Sequence, residues 1–166
     1  MVIINDTNIW IDLKFTNLID QIFLLPYKIA VPNILYNDEL KDVDGPTLER
    51  NGIEILEMTD DEVMETAQRS SKTKRVSFND LTTLVVAKTR GYTLVTGDGN
   101  LRRIAQKESV SLRGTIWLID ELITNHIISY TEGISACQAL IDYQRRLPKD
   151  ELEKRIQLWN DEAAAD

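Results

Sequence analysis

The sequence has only one cysteine, Cys137, and one histidine, His126, among its 166 residues. A single thiol excludes an internal disulfide and is typical of proteins from a reducing compartment. A zinc site usually draws on several His and Cys side chains, and this chain does not contain such a set. His126 follows a predicted helix near residues 115–125, where a histidine more often has a capping or surface role. Disulfide and zinc chemistry therefore do not organise this protein.

Long apolar runs are also missing. No stretch approaches the ~20 residues of a membrane-spanning helix, and the apolar start of the chain is too short for a signal peptide. No segment rich in Pro, Gly or Ser interrupts the chain, which is 43% hydrophobic and so can form one core. We expect a soluble cytoplasmic protein with one domain over residues 1–148. A C-terminal helix and short tail, 149–166, would pack on this domain or extend from it.

The net charge of −8 argues at first sight against a nucleic-acid partner. The charge is unevenly spread, however. From Lys72 to Arg113 there are nine Lys and Arg against three Asp and Glu, a balance of +6 that leaves −14 for the remainder. One interpretation is that these cations are solvated helix faces. The other is a surface that attracts a phosphate chain, and their segregation favours it.

Short apolar segments alternate with amphipathic ones along most of the chain. The first segment, residues 2–5, is rich in Val and Ile without alternation, which is typical of a parallel strand buried on both faces. Alternation of strands and helices across short turns predicts a three-layer α/β/α sandwich with a mostly parallel, about five-stranded sheet. The predicted strands are 2–5, 29–31, 53–58, 92–96 and 110–112, and the three tryptophans are assigned to the core or an interface.

Acidic residues stand where two of these strands end. Asp6 follows strand 2–5, and Asp98 follows strand 92–96. Asp80 and Glu39 lie early in predicted helices, from which side chains can lean over the same edge, where open parallel sheets bind ligands. Converging carboxylates repel one another by ~1 kcal/mol per pair at 4 Å even in water. Such a cluster either raises its own pKa values or binds a hard cation such as Mg²⁺.

Each of these acids has a structural alternative. Asp6 is suited to capping the first helix, and Asp98, between two glycines, is suited to a turn. Asp80 stands three residues after Ser77, the position of the acid in a capping box. Glu39 has Asp38 beside it, so either acid is open as the helix ligand.

The joint pattern resembles the PIN-domain nucleases and is similar to the VapC-like toxins of toxin–antitoxin pairs. The resemblance covers roughly residues 1–145 and depends on the order and spacing of its motifs rather than on any single one. Residues 3–11 resemble the first strand of the family with its leading aspartate, and residues 94–102 resemble its signature of strand, Thr and Asp. The remaining matches are residues 31–40 around Glu39, residues 79–87 around Asp80, and Gly114-Thr115.

The resemblance implies a metal-dependent phosphodiesterase, and specifically an endoribonuclease that cleaves single-stranded or structured RNA with a metal-activated water. It implies Mg²⁺ or Mn²⁺ as the cofactor, RNA as the substrate, and a cognate antitoxin protein and a homodimer as partners. Asn100, where many relatives carry an acid, is a candidate water- or metal-contacting residue. The implied catalytic and metal ligands are Asp6, Glu39, Asp80 and Asp98, and the candidate phosphate-binding residues are Lys74, Arg75, Arg102 and Arg103.

Two other classes of protein stay open. One is a receiver-like or phosphatase-like α/β domain, which also gathers Asp residues beside Mg²⁺. That class favours a second acid two residues beyond Asp6, and position 8 is Asn. The other is a catalytically weak or inactive PIN fold that acts as a protein-binding module.

Overall fold

The structure, a computed structural model, describes residues 1–165 and contains one five-stranded, all-parallel sheet. The strand order β3-β2-β1-β4-β5 places β1 in the centre. With helices on both faces, the predicted α/β/α sandwich is confirmed. The strands are β1 (Val2–Asn5), β2 (Lys28–Pro32), β3 (Glu54–Leu56), β4 (Thr93–Val95) and β5 (Leu112–Arg113).

The central strand is apolar throughout because both of its faces are covered. Successive side chains of a strand point to opposite faces. Ile3 accordingly packs into one core layer and Ile4 into the other, and both are fully buried. Leu94 of β4 shares the layer of Ile4, and Val95 shares that of Ile3. This explains why the sequence of β1 shows no alternation of apolar and polar residues.

The helices divide between the two layers. The sheet face that contains Ile3 is covered by five of the helices listed below, α1, α2, α8, α9 and α10. The face that contains Ile4 is covered by α6 and α7, and α5 packs on α6. None of the helices in residues 1–165 combines the length and apolar character that a membrane span requires. The helices are α1 (Thr7–Phe15), α2 (Ile19–Ile22), α3 (Asn33–Leu35) with a π-helical turn (Tyr36–Leu40), α4 (Gly45–Arg50), α5 (Asp60–Lys72), α6 (Phe78–Arg90), α7 (Gly99–Lys107), α8 (Thr115–Thr124), α9 (Tyr130–Asp142) and α10 (Lys149–Ala165).

Local sequence signals fix several helix ends. Thr59 and Glu62 form a capping box at the start of α5, in which they exchange hydrogen bonds between side chain and backbone. Gly91 ends α6 in the left-handed conformation, with φ +67°, which a residue without Cβ adopts at low cost. Gly45-Pro46 begins α4, where proline fits the first turn because no N–H is needed there.

The C-terminal helix is packed on the rest of the protein. Trp159 of α10 is buried and lies over Gly133 of α9, where an added Cβ would come within 3.1 Å of the indole ring. Leu152, also buried, belongs to the same core layer. Helix α10 thus closes one side of the layer that contains Ile3, while the division of the chain at residue 148 stays a prediction.

A buried ion pair ties three helices together near the end of β1. Asp12 of α1 is 3% exposed and accepts hydrogen bonds from the Arg145 Nε, at 2.6 Å, and the Thr115 hydroxyl, at 2.6 Å. Arg145 follows α9 and Thr115 begins α8. A buried carboxylate that loses its cation is left uncompensated at a cost of several kcal/mol.

We predict that Arg145→Ala lowers the free energy of unfolding by roughly 3 kcal/mol, because Asp12 then stays buried without its cation. Arg146→Ala is the matched control: Arg146 is exposed, and its removal should change the free energy by less than about 0.5 kcal/mol. Urea unfolding followed by circular dichroism measures both. Equal stability of the two variants would contradict a structural role for the Asp12–Arg145 pair.

Candidate active site

The strand order places one point of the sheet in a special position. From β1 the chain builds β2 and β3 on one side, then returns to place β4 and β5 on the other. Between β1 and β4 the helices that follow the strands therefore diverge, and ligands of open α/β sheets bind in the resulting crevice. Asp6 directly follows β1, and Thr96 to Asp98 follow β4. The backbone N–H of Asp6 bonds to the Val95 carbonyl at 3.2 Å, which joins the two strand ends.

Asp6 is fully buried at this crevice. One carboxylate oxygen accepts the Ile9 N–H at 3.0 Å and so caps α1, and the other accepts the Thr96 hydroxyl. Burial raises the pKa of Asp6 to about 7, and the negative charges of Asp80 and Asp12 add to the rise, while the Thr96 and Ile9 hydrogen bonds oppose it. The capping role that the sequence left as an alternative is thus present, and it coexists with a strongly perturbed carboxylate.

Thr96 links Asp6 to Asp98. Its hydroxyl oxygen accepts the backbone N–H of Asp98 at 3.0 Å while donating to Asp6. Asp98 begins α7, and its Oδ1 accepts the Leu101 N–H at 2.7 Å. One oxygen of Asp98 therefore caps a helix, and the second is available to a ligand.

Asp80 lies in the first turn of α6, half-buried on the side of Glu39 and Asp98. Ser77 caps this helix by accepting the backbone N–H of Asp80 at 3.0 Å. Burial raises the pKa of Asp80, the negative charges of Glu39 and Asp98 raise it further, and a hydrogen bond from Ser77 opposes them. The electrostatic coupling means that Asp80 faces the other acids, although its position in the first turn also fits the capping alternative.

Glu39, rather than its neighbour Asp38, turns towards the other acids. Its carboxylate accepts the Thr7 hydroxyl and, at 2.8 Å, the Asn79 side-chain amide, whereas Asp38 is exposed. Thr7 and Asn79 directly follow or precede the ligand candidates Asp6 and Asp80. Glu39 lies in the π-helical turn, an irregularity that is frequent at functional sites.

The donor set suits a hard divalent cation, although it is not assembled around one. Within residues 1–165 no three Asp, Glu, His or Cys side chains lie close enough to form a ready metal-binding group. Carboxylate oxygens are nevertheless the preferred ligands of Mg²⁺. A cation would offset both the burial and the charge repulsion that raise the pKa values of Asp6 and Asp80. The buried side chain of Asn5, beside Asp6, has no hydrogen-bond partner for either polar atom. Buried amides normally find a partner or a water.

A basic cleft lies beside these acids. It has a volume of about 460 Å³ and runs between the α5–α6 connection and α7. Asn100 spans it: its amide group donates to the Arg75 carbonyl at 3.4 Å and its oxygen accepts Arg103 Nη2 at 2.7 Å. Both polar atoms of Asn100, predicted as a possible metal contact, thus bond within the cleft. The charged residues that line this basic cleft are Lys72, Lys74, Arg75, Arg103 and Lys107.

The other cations of this segment have internal partners. Lys88 pairs with Glu108 at 2.9 Å and Arg90 with Glu62 at 2.8 Å, away from the cleft. Arg102 donates through Nη1 to the carbonyls of Thr96, at 2.8 Å, and Arg113, at 3.1 Å. Its guanidinium therefore clamps the ends of β4 and β5 and lines a different cleft from the basic one.

A protein-family model described as a PIN domain matches residues 2–161. The chain belongs to the PIN-domain family. No curated protein matches it significantly. PIN domains are generally metal-dependent nucleases, so the PIN fold implies a nucleic-acid substrate.

The PIN-domain assignment also settles the choice of fold family. A receiver-like sheet has the order 2-1-3-4-5, which differs from the order observed here. The match to the PIN-domain family also decides against a phosphatase-like domain. In this PIN domain the structure brings Asp6, Asp98, Asp80 and Glu39 to one edge of the sheet, and Lys74, Arg75 and Arg103 to the neighbouring cleft.

The polar residues that hold the acids in place are not evident from the sequence. Thr7, Asn79 and Thr96 each bond to one of the four carboxylates, but threonine and asparagine at helix starts have ordinary capping roles that mask such a function. The need of Asp12 for a partner could have been predicted from the sequence. It lies between Ile9 and Leu13 on the buried face of α1, where an acid is rare unless paired.

We predict that the stability of the metal-free protein falls as the pH rises from about 5.5 to about 7. In this range Asp6 is ionised in the unfolded chain, whose reference pKa is 3.8, but still protonated in the folded protein, so unfolding releases a proton. The slope from Asp6 alone approaches about 1.4 kcal/mol per pH unit. Above about pH 7 this contribution becomes constant.

Urea unfolding in EDTA at a series of pH values measures this slope, and Asp6→Asn should flatten it because the amide does not titrate. Asp42→Asn, which removes an exposed acid, is the matched control and should retain the native profile. Identical profiles for the native protein and Asp6→Asn would contradict the raised pKa.

Proposed function

We propose that this PIN-domain protein is a Mg²⁺- or Mn²⁺-dependent endoribonuclease. The observation that carries the proposal is the juxtaposition of four acids at the β1/β4 crevice with a cleft whose charged residues are all basic. Carboxylates are suited to hold a divalent metal, and Lys and Arg beside them are suited to a phosphate chain. Neither feature alone would favour a nuclease over another Mg²⁺-binding fold.

In this proposal Asp6, Asp80, Asp98 and Glu39 hold the metal directly or through water. When bound there, the metal would supply an activated water and neutralise charge that develops on the phosphorus. Thr96 orients Asp6 and fixes the Asp98 backbone through its hydroxyl, so it acts as a positioning residue. Since Asp6 and Asp98 cap helices, the positive ends of α1 and α7 also face the site and lower the cost of gathering negative charge.

Lys74, Arg75 and Arg103 bind the backbone phosphates in the proposed enzyme. Lys72 and Lys107, which line the same basic cleft, extend this set. Because water is the nucleophile, the chemistry does not require a ribose 2′-hydroxyl. The choice of RNA over DNA is therefore supported by the resemblance to VapC-like nucleases rather than by the geometry.

The same resemblance supports a biological setting. We propose a cytoplasmic toxin that forms a homodimer and is inhibited by a cognate antitoxin protein. The balance of −14 outside Lys72 to Arg113 is complementary to a basic inhibitor segment. A PIN fold that only binds protein is the competing function, and a cleavage assay separates the two.

We predict that Asp98→Asn lowers cleavage of a labelled single-stranded RNA at least about 100-fold, because it removes one charge from a metal ligand. The variant should fold normally, since Asn is as good an N-cap residue as Asp and can still accept the Leu101 N–H. Cleavage is measured with Mg²⁺, with Mn²⁺ and with EDTA, and EDTA should abolish it.

Asp38→Asn is the matched control, because Asp38 carries the same charge next to Glu39 but is exposed. It should cleave at the native rate. Full activity in Asp98→Asn would reject the assignment of the site, and no cleavage by the native protein on any RNA or DNA would favour the protein-binding module.

We predict that Mn²⁺ stabilises the native protein but not the Asp98→Asn variant. A metal that binds only the folded state adds about 2.7 kcal/mol to the free energy of unfolding when its concentration is 100 times Kd. Thermal unfolding with and without Mn²⁺ measures this effect without any substrate. The Asp38→Asn variant should respond as the native protein does, and an equal response of Asp98→Asn would contradict the ligand set.

We predict that a Lys74→Ala/Arg75→Ala/Arg103→Ala triple variant raises the KM for RNA at least about tenfold and leaves kcat within a few-fold, since phosphate contacts contribute binding rather than chemistry. The slope of the logarithm of the binding constant against the logarithm of the salt concentration should fall in magnitude by roughly one unit for each contact that is lost.

A charge-matched control removes three cations from α10 instead, through Lys149→Ala/Lys154→Ala/Arg155→Ala, and should alter KM little. If both triple variants weaken binding equally, the effect is one of net charge and the basic cleft is not the binding surface.

A further inference from the structure

A second cleft reaches the acids at Thr96 and shares no lining residue with the basic cleft. It has a volume of about 540 Å³, within the roughly 300–1,000 Å³ range of small-molecule sites. The ends of β4 and β5, the start of α8 and the α9–α10 connection form its walls. The lining residues used below are Thr96, Arg102, Ile116, Trp117, Arg146 and Leu147.

This cleft is continuous with the proposed active site through Thr96. The Thr96 hydroxyl contacts Asp6 and Asp98, and the same residue lines the second cleft. A nucleic acid whose reacting phosphate lies at the acids therefore has this cleft next to that phosphate, in addition to the basic cleft.

The chemistry of the two clefts differs. The basic cleft presents Lys and Arg side chains, whereas the second cleft combines Ile116, Trp117 and Leu147 with two arginines. A phosphate needs no apolar wall. A nucleobase does, since its faces stack on aromatic rings, aliphatic side chains or guanidinium planes while arginine binds its edges or its phosphate.

The two arginines are prepared for different tasks. Arg102 is held by the carbonyls of Thr96 and Arg113, so its guanidinium is fixed at the inner end of the cleft. Arg146 is exposed and, unlike its neighbour Arg145, forms no ion pair or side-chain hydrogen bond within residues 1–165. Its charge is available to a ligand.

Trp117 is the one tryptophan that the core does not fully bury. Trp10 is 1% and Trp159 4% exposed, whereas Trp117 is half-buried. Tyr27 stacks against it at 5.8 Å between ring centroids, and Arg113 lies over the ring at 5.7 Å. These contacts fix the indole in place, so the part that lines the cleft is a preorganised surface.

We propose that this cleft is a nucleobase subsite, which binds the base of a nucleotide next to the phosphate that is cleaved. The proposal rests on the proposed nuclease function and adds a source of base preference to it. Ile116, Trp117 and Leu147 contact the base, and Arg146 contacts its edge or the adjoining phosphate.

The test measures binding without turnover. The ¹⁵N-labelled native protein is titrated in EDTA with AMP, GMP, CMP and UMP, and with ribose 5-phosphate, which has the same phosphate but no base. At least one nucleotide should bind roughly tenfold more tightly than ribose 5-phosphate, the scale of one stacked base. The backbone signals of Thr96, Gly97, Gly114 to Trp117 and Leu147 should shift, together with the indole N–H signal that Trp117→Phe removes.

Two variants make the assignment specific. Arg146→Ala should weaken nucleotide binding at least about fivefold, since a charge-assisted contact is lost. Lys154→Ala removes an exposed cation of α10 instead and should leave nucleotide affinity within about twofold, since Lys154 lines neither the nucleobase subsite nor the basic cleft. Equal affinity for ribose 5-phosphate and the nucleotides, or shifts confined to the basic cleft, would overturn the proposal.

The cleavage assay distinguishes this proposal from the proposed function. If the native protein cleaves RNA but binds none of the nucleotides, the nucleobase subsite is rejected while the nuclease stands. If nucleotides bind at the cleft and no nucleic acid is cleaved, the nuclease is rejected while binding at the subsite stands.

Discussion

The hydrogen bond from the Thr96 hydroxyl to the buried carboxylate of Asp6 joins the two strand ends on which the rest of the site depends. Asp6 closes β1 and Thr96 follows β4, so the bond forms only when these strands pair in their observed register. The same hydroxyl fixes the backbone of Asp98. A buried carboxylate without such a partner would cost free energy. The arrangement of the acids therefore depends on the pairing of β1 with β4.

Two of the acids cap helices and are also proposed metal ligands. Asp6 and Asp98 each use one carboxylate oxygen to accept a hydrogen bond from a backbone N–H at a helix N-terminus. The capping bonds hold each side chain in one orientation and bring a helix dipole to the site. Asp6 and Asp98 are therefore held in place by the protein itself.

The chain separates charge by position. Its basic residues line a cleft beside the acids, while Lys88, Arg90 and Arg102 are bound to partners elsewhere. Beyond Thr96 the surface changes from cationic to partly apolar. Two surfaces of different chemistry next to one group of acids suit a polymer of phosphates and bases better than a small anion.

The sequence by itself determined the sandwich fold, several helix ends, and the acids at the ends of β1 and β4, because these depend on local periodicity and capping chemistry. It also placed Lys74, Arg75 and Arg103 in a basic segment. Only the tertiary structure decided that Glu39 rather than Asp38 faces the acids, that Arg102 clamps backbone carbonyls, and that Asp12 needs Arg145. Each of these joins residues far apart in the chain, and the physical reason is burial: which polar groups must pair is known only once the fold has removed them from water.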